Sequence, residues 1–134
     1  MRLKWINLLF KSDMSAKSFK ETKVYKLAFE QAIGIFETSK NFSKDETYSL
    51  TDQVRRSTRS VCANLAEAYR KKRYPAHFIS KASDSDSENS ETNVWIDFAF
   101  ACKYLLEIKH QQMILRNEKI GRLLNHMINN PEKC

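Results

Sequence analysis

Apolar residues recur at steps of three and four, the spacing of one helix face, along four stretches of the chain. Those stretches are residues 21–39, 45–73, 75–104 and 107–129. In the second stretch, Leu50, Val54, Val61, Leu65 and Ala68 share one side. A one-sided pattern is typical of a helix that packs against neighbours, and the stretches are similar in length. The pattern predicts an all-α fold, an antiparallel up-and-down four-helix bundle.

Part of the third stretch is open to two interpretations. Residues 83–93, SDSDSENSETN, are rich in Ser, Asp and Asn, which prefer turns and caps and therefore indicate a linker. However, Asp84, Glu88, Glu91 and Trp95 follow one another at steps of four, three and four. That spacing places them on one helix face. The segment is either a linker or a continuous helix with a polar inner layer.

Two polar residues interrupt the apolar side of the second predicted helix. Ser57 and Asn64 occupy seam positions, where a buried amide without hydrogen-bond partners costs about 1–3 kcal/mol. The polar run of the third helix can supply partners. We therefore expect a structural polar core formed by Ser57, Asn64, Glu88, Glu91 and Thr92. For Asn64 we favour a role in fixing helix register over ligand binding.

The first 17 residues stand apart from the helical pattern. Their apolar run, residues 5–10, is shorter than the core of a signal peptide and has no small-residue cleavage site after it. We interpret residues 1–17 as an N-terminal extension or a docking arm. Met14 offers a second plausible start, so the extension need not belong to the working protein. Residues 18–134 are then expected to form one domain.

Composition agrees with a single helical domain. The chain has 134 residues, 42% of them hydrophobic, and only two Gly and two Pro. A β-rich fold would need more of these turn-forming residues, and the length suits one domain. No stretch approaches the roughly 18 apolar residues of a membrane span. We therefore expect a cytoplasmic protein that does not contact a membrane.

The sequence contains no recognisable metal, cofactor or catalytic motif. Its three Cys and three His are not at metal-ligand spacing, and no Gly-rich phosphate loop is present. Glu107 and His110 form a single Glu-x-x-His pair, whereas a di-iron site in a helix bundle uses two. Glu67, Glu88 and Glu91 are the carboxylates nearest a shared core. For Glu67, which lies beside Arg70 and Lys71, an ion pair within or between subunits is more plausible than acid catalysis. We expect a non-enzymatic protein without metal or cofactor.

A basic face on the second helix is the main functional signal. The chain has a net charge of +7 and a pI near 9.4, which attract polyanions. Five arginines lie opposite the apolar side: Arg55, Arg56, Arg59, Arg70 and Arg73. Lys71 and Lys72 adjoin them and complete the set of candidate nucleic-acid-binding residues. They either contact phosphates of RNA or single-stranded DNA, or pair with acidic residues of a neighbouring subunit or partner. Tyr48, Tyr69 and Tyr74 could add base stacking, although packing is the commoner use.

Three runs of residues resemble a known family. In the second helix they are Gln53-Val54-Arg55-Arg56-Ser57, Ser60-Val61 and Asn64-Leu65-Ala66-Glu67-Ala68. They resemble the pattern Q-x-R-R-A-x-x-S-I-x-x-N-I-A-E-G of the four helix bundle protein family. These proteins are encoded in intervening sequences of bacterial 23S rRNA genes and include accessory variability proteins of diversity-generating retroelements. Residues 88–99 and 127–133 resemble further family segments, whereas Ala68 and Lys103 replace family glycines.

The resemblance implies a compact bundle that assembles into a ring-shaped homo-oligomer, with a pentamer favoured. It also implies a basic surface that binds nucleic acid or a reverse transcriptase, and it implies no catalytic mechanism. We therefore expect a basic homo-oligomeric nucleic-acid-binding protein of the rRNA intervening-sequence type. The alternative is a scaffolding ring that binds a partner such as a reverse transcriptase through its arginines.

Overall fold

The computed structural model describes residues 18–134, and they form four α-helices. These are α1 (Lys23–Ser39), α2 (Leu50–Arg70), α3 (Pro75–Ala101) and α4 (Glu107–Asn129). Short 3-10 turns occupy Phe19–Glu21, Lys44–Glu46 and Pro131–Lys133, and this part of the chain contains no strand. Each helix packs against its sequence neighbours, and α1 also packs against α4. The predicted all-α four-helix bundle is confirmed, whereas the ring stays a prediction, and the extension at residues 1–17 lies outside the described residues.

α2 is shorter than the periodicity predicted. It begins at Leu50 and ends at Arg70, whereas the expected helix covered 45–73. Ser43 caps the preceding 3-10 turn, since its hydroxyl accepts a hydrogen bond from the Asp45 amide. That turn and the loop after it occupy the positions assigned to the first helical turn. By contrast, α4 has the predicted bounds, 107–129.

α3 continues without a break through residues 83–93, so the helical interpretation of SDSDSENSETN is confirmed. The segment is helical because its small polar residues face neighbouring helices. Ser85, Asn89 and Thr92 are buried, and each finds a hydrogen-bond partner on α2 or α4. A polar composition here marks an inner layer of the bundle.

Two apolar clusters occupy the two ends of the bundle. One contains Val24, Ala28, Val61, Leu65, Ala68, Phe78, Ile120, Leu124 and Met127. The other contains Ile35, Leu50, Val54, Ile96, Ala99, Leu105 and Met113. Burial of these side chains supplies the main hydrophobic stabilisation of the fold. On every helix, the positions between the two clusters carry buried polar residues.

A polar layer between these clusters links all four helices. The amide of Gln31 on α1 donates to Asn117 Oδ1 on α4 at 2.7 Å. Asn117 Nδ2 donates to the Asn89 carbonyl on α3 at 3.2 Å, and Asn89 Nδ2 returns a bond to the Asn117 carbonyl at 2.9 Å. Thr92 on α3 donates to Ser57 Oγ on α2 at 2.8 Å. No buried side-chain polar atom within residues 18–134 lacks a partner.

The structure therefore changes the membership of the predicted polar core. Ser57 and Thr92 belong to it, but Asn64 does not. Asn64 is only half-buried, and its amide donates to the Ser60 carbonyl one turn earlier at 3.0 Å. It lies at the edge of the apolar side of α2, where its own helix satisfies it. The predicted seam role of Asn64 was wrong.

Lys103, two residues after the end of α3, has a left-handed conformation with a φ of 66°. The amide of Lys103 donates to the Phe100 carbonyl at 3.0 Å, and that of Tyr104 donates to the Ala99 carbonyl at 2.9 Å. This pair of bonds defines a Schellman motif, whose left-handed position usually holds glycine. Lysine there carries backbone strain, because Cβ disfavours positive φ.

Replacing Lys103 by Gly is expected to raise the free energy of unfolding by about 0.5–1 kcal/mol. The relieved strain of about 1–2 kcal/mol exceeds the added flexibility of glycine in the unfolded chain. The melting temperature should rise by roughly 2–5 °C, as measured by thermal denaturation. Lys119→Gly, at an exposed position inside α4, is the matched control and should lower stability by about 1 kcal/mol. A destabilised Lys103→Gly variant would contradict this account.

Candidate nucleic-acid interface

The predicted basic residues form two groups near opposite ends of α2. Arg55, Arg56 and Arg59 lie in its first half, whereas Arg70 is its last residue and begins the second group. At 1.5 Å per residue, Arg55 and Arg70 are about 22 Å apart along the helix. The two groups also differ in their contacts with the rest of the bundle.

Arg55 joins α2 to the end of α1. Its Nε donates to Ser39 Oγ at 2.8 Å and its Nη2 donates to the Phe36 carbonyl at 3.4 Å. The guanidinium also lies over the Phe36 ring, 4.8 Å from the centroid. A cation at a helix C-terminus is favourable because the carbonyls there carry partial negative charge. Arg55 therefore already has a structural role within the bundle.

Arg56 is paired with two carboxylates of α3. Its guanidinium lies 2.8 Å from Glu91 and 3.3 Å from Glu88. The hydrogen bond with Glu91 is the main cause that raises the pKa of Arg56. Glu91 also accepts a bond from the Trp95 indole at 3.3 Å. Glu88 and Glu91 thus lie at the bundle surface and serve Arg56, which corrects their predicted place in the polar core.

Arg59 separates two grooves on the surface of α2. One groove, of about 480 Å³, is lined by Asp52 and by all three arginines of the first group. The other, of about 320 Å³, lies between α1 and α2 and has an apolar lining that includes Phe29 and Ile33. These two side chains are 51% and 48% exposed. Apolar surface beside arginines is typical of protein contacts.

Cys62 lines the apolar groove, and burial raises the pKa of its thiol from 9.0 to about 11. A thiol with so high a pKa is protonated at neutral pH and behaves as a small hydrophobic side chain. Within residues 18–134, no three His, Cys, Asp or Glu side chains are grouped as a metal ion would require. In the same part of the chain, no helix is long and apolar enough to cross a membrane.

The second group forms an exposed basic turn, defined as residues 70–73. Its members are Arg70, Lys71, Lys72 and Arg73, all exposed at the end of α2 and in the connection to α3. The nearby carboxylate of Glu67 pairs instead with Lys81 of α3, at 2.7 Å. Glu67 therefore forms an ion pair within the subunit, as predicted, and its partner is Lys81 and not the neighbouring Arg70 or Lys71. No residue of the basic turn forms an ion pair within the described chain.

The three tyrosines considered for base stacking occupy different environments. Tyr74 directly follows the basic turn and is 59% exposed. Tyr69 is half-buried and packs edge-on against Phe78. Tyr48 is 94% exposed and precedes α2, at the far end of that helix. Only Tyr74 of these three combines exposure with proximity to the basic turn.

Comparison with known proteins identifies a family and a solved structure of similar fold. A family model described as 23S rRNA-intervening sequence protein matches residues 20–126. A crystal structure from Bacteroides thetaiotaomicron, of a protein with unknown function from the S23 ribosomal protein family, has a TM-score of 0.72 and 24% sequence identity. The similarity covers 79% of this chain and 95% of that one, and at this identity it supports the fold alone. No curated protein matches the chain.

Proposed function

The chain belongs to the 23S rRNA-intervening sequence protein family, and on that premise we propose that it is a non-enzymatic, basic homo-oligomer that binds RNA or single-stranded DNA. The basic turn carries this proposal, since its four cations are exposed and have no carboxylate partner within the described chain. Phosphate oxygens are the natural partners of such clustered cations. Binding of this kind depends on backbone charge and not on sequence.

The basic turn is a better phosphate site than the arginines in the first half of α2. Phosphate binding to Arg56 would compete with two carboxylates that already contact it. Arg55 would have to give up its bonds to Ser39 and Phe36. The basic turn has no ion pair to break within the described residues, and its one ring contact, Lys72 over Tyr69 at 5.4 Å, leaves the other three cations uncommitted. Less of its binding free energy is therefore lost to broken internal contacts.

The test is a salt titration of binding to a fluorescent 20-nucleotide RNA, measured by anisotropy. Four phosphate contacts to a single strand predict a slope of about −3 for log K against log salt. The affinity should therefore fall roughly 50-fold between 50 and 200 mM salt. Absence of binding at 50 mM, or binding that salt does not weaken, would contradict the proposal.

A protein-scaffolding ring is the second candidate, and the groove between α1 and α2 favours it. Phe29 and Ile33 are half exposed there beside Arg59, which suits contact with a neighbouring subunit or a partner such as a reverse transcriptase. This candidate requires that Arg55→Ala combined with Arg59→Ala dissociates the oligomer, as measured by light scattering. An intact assembly with salt-sensitive RNA binding instead supports the nucleic-acid function.

A further inference from the structure

We propose that the ligand of the basic turn is an unpaired nucleic-acid strand, whose bases stack on Tyr74 and His77 while its phosphates contact residues 70–73. This inference rests on the proposed function and specifies its ligand. It follows from the position of two exposed rings directly after the four cations. A site for phosphates alone would need only the cations.

Tyr74 and His77 form a small aromatic platform at the start of α3. Their ring centroids are 6.1 Å apart, and the ring planes are inclined by 79°. Both residues are exposed. Because the contact is edge-to-face, at least one face of each ring is not covered by the other. A base could therefore stack on either ring without displacing its neighbour.

The backbone holds this platform beside the basic turn. The Tyr74 amide donates to the Lys71 carbonyl at 2.8 Å, and the Tyr74 carbonyl accepts from the Phe78 amide at 2.9 Å. Pro75 follows at the first position of α3 and restricts the backbone further. The Tyr74 backbone is thus fixed relative to Lys71 before any ligand binds. A preorganised backbone reduces the conformational entropy lost on binding.

The tyrosines on either side of this site provide a contrast. Tyr69 packs edge-on against Phe78 and has the Lys72 ammonium 5.4 Å from its ring centroid, so it belongs to the core edge. Tyr48 is the most exposed of the three. It lies beyond the other end of α2, which is about 30 Å long, and is therefore too far from the basic turn to serve the same strand segment.

Base stacking distinguishes an unpaired strand from a duplex. In a duplex the base faces are already stacked on each other, and only base edges and the backbone are accessible to a protein. In an unpaired strand each base exposes its faces, and stacking on an aromatic side chain is largely independent of base identity. The platform therefore adds affinity for unpaired strands only, whereas the cations attract both forms.

The test compares Tyr74→Leu with the wild type on two ligands of equal length, a single strand and a duplex. Tyr74→Leu should weaken single-strand binding by about 5- to 100-fold, the effect of removing one stacked base. Duplex binding should change less than about twofold, because no base face reaches the ring. Tyr74→Phe keeps the ring and should bind like the wild type. RNA and DNA versions of the single strand show which sugar the site accepts, and the loss in either supports the inference.

Tyr48→Leu is the matched control, since it removes a tyrosine that is even more exposed than Tyr74 but lies far from the basic turn. It should leave binding to both ligands unchanged. If Tyr74→Leu binds the single strand as tightly as the wild type, or loses duplex binding by the same factor, the platform is not a stacking site. That result leaves salt-sensitive binding intact and overturns this inference alone. If neither ligand binds at 50 mM salt, the proposed function and this inference both fail.

Discussion

Replacing Asn117 by Ala is expected to lower the free energy of unfolding by about 2–4 kcal/mol. Its side chain accepts a bond from Gln31 and donates to the Asn89 carbonyl and to Asn93 Oδ1. The substitution removes these three bonds together. The groups that bonded to the Asn117 side chain stay in the buried layer and lose that partner. A buried polar group that loses its partner costs more than an average hydrogen bond contributes, and the small cavity adds to the loss.

Urea denaturation monitored by circular dichroism measures this effect. Protein concentration must be held constant, because an oligomer gains apparent stability with concentration. Asn125→Ala is the matched control: the residue is exposed on the same helix and donates only to the Gly121 carbonyl, at 3.0 Å. Asn125→Ala should lower the free energy of unfolding by less than about 1 kcal/mol. Equal effects at the two positions would show that the polar layer does not contribute specially to stability.

The polar layer also shows what the sequence could predict about the core. Helical periodicity identified four helices, because a bundle requires apolar residues at steps of three and four on each one. The same spacing places Asn117 between Met113 and Ile120 on the buried face of α4. That signal was present and was missed. Helical periodicity instead indicated Asn64 as the buried amide, because periodicity alone does not separate the centre of a buried face from its edge.

Sequence patterns do not determine which side chains of the polar layer bond to each other. Thr92 bonds to Ser57, whereas Glu88 and Glu91 from the same helix reach Arg56 at the surface. These outcomes depend on the rotation of α3 against α2, which is set by packing of the whole bundle. A helical period assigns residues to a face of one helix and leaves the facing residue of the next helix undetermined.

Tertiary contacts also divide the basic face of α2 into two groups that the sequence does not distinguish. In sequence, Arg55 and Arg70 belong to one side of a helix and are equivalent. In the structure, Arg55 bonds to Ser39 of α1, and the carboxylate nearest Arg70 in sequence, Glu67, is taken by Lys81. The four cations at residues 70–73 therefore have no ion-pair partner within the described chain. Only tertiary contacts make this distinction, and it directs mutagenesis to residues 70–73.

Replacing all four residues of the basic turn by Gln should weaken binding to a 20-nucleotide RNA by about 10²- to 10³-fold at 0.1 M salt. Each phosphate contact to a single strand contributes about 0.7 to the salt slope, so the slope should change from about −3 towards zero. The fold should survive, since these side chains are exposed and form no ion pair within the described chain. Anisotropy titrations at several salt concentrations measure both quantities.

The control must remove the same net charge elsewhere, because a basic protein attracts RNA through its overall field as well as through contacts. Four exposed lysines outside the basic turn suit this purpose: Lys44, Lys103, Lys109 and Lys119. Their combined replacement by Gln should reduce affinity less than about tenfold and preserve most of the salt slope. Similar losses in the two variants would mean that net charge alone holds the RNA. A larger loss in the variant of residues 70–73 assigns the phosphates to the connection between α2 and α3, because both variants carry the same net charge.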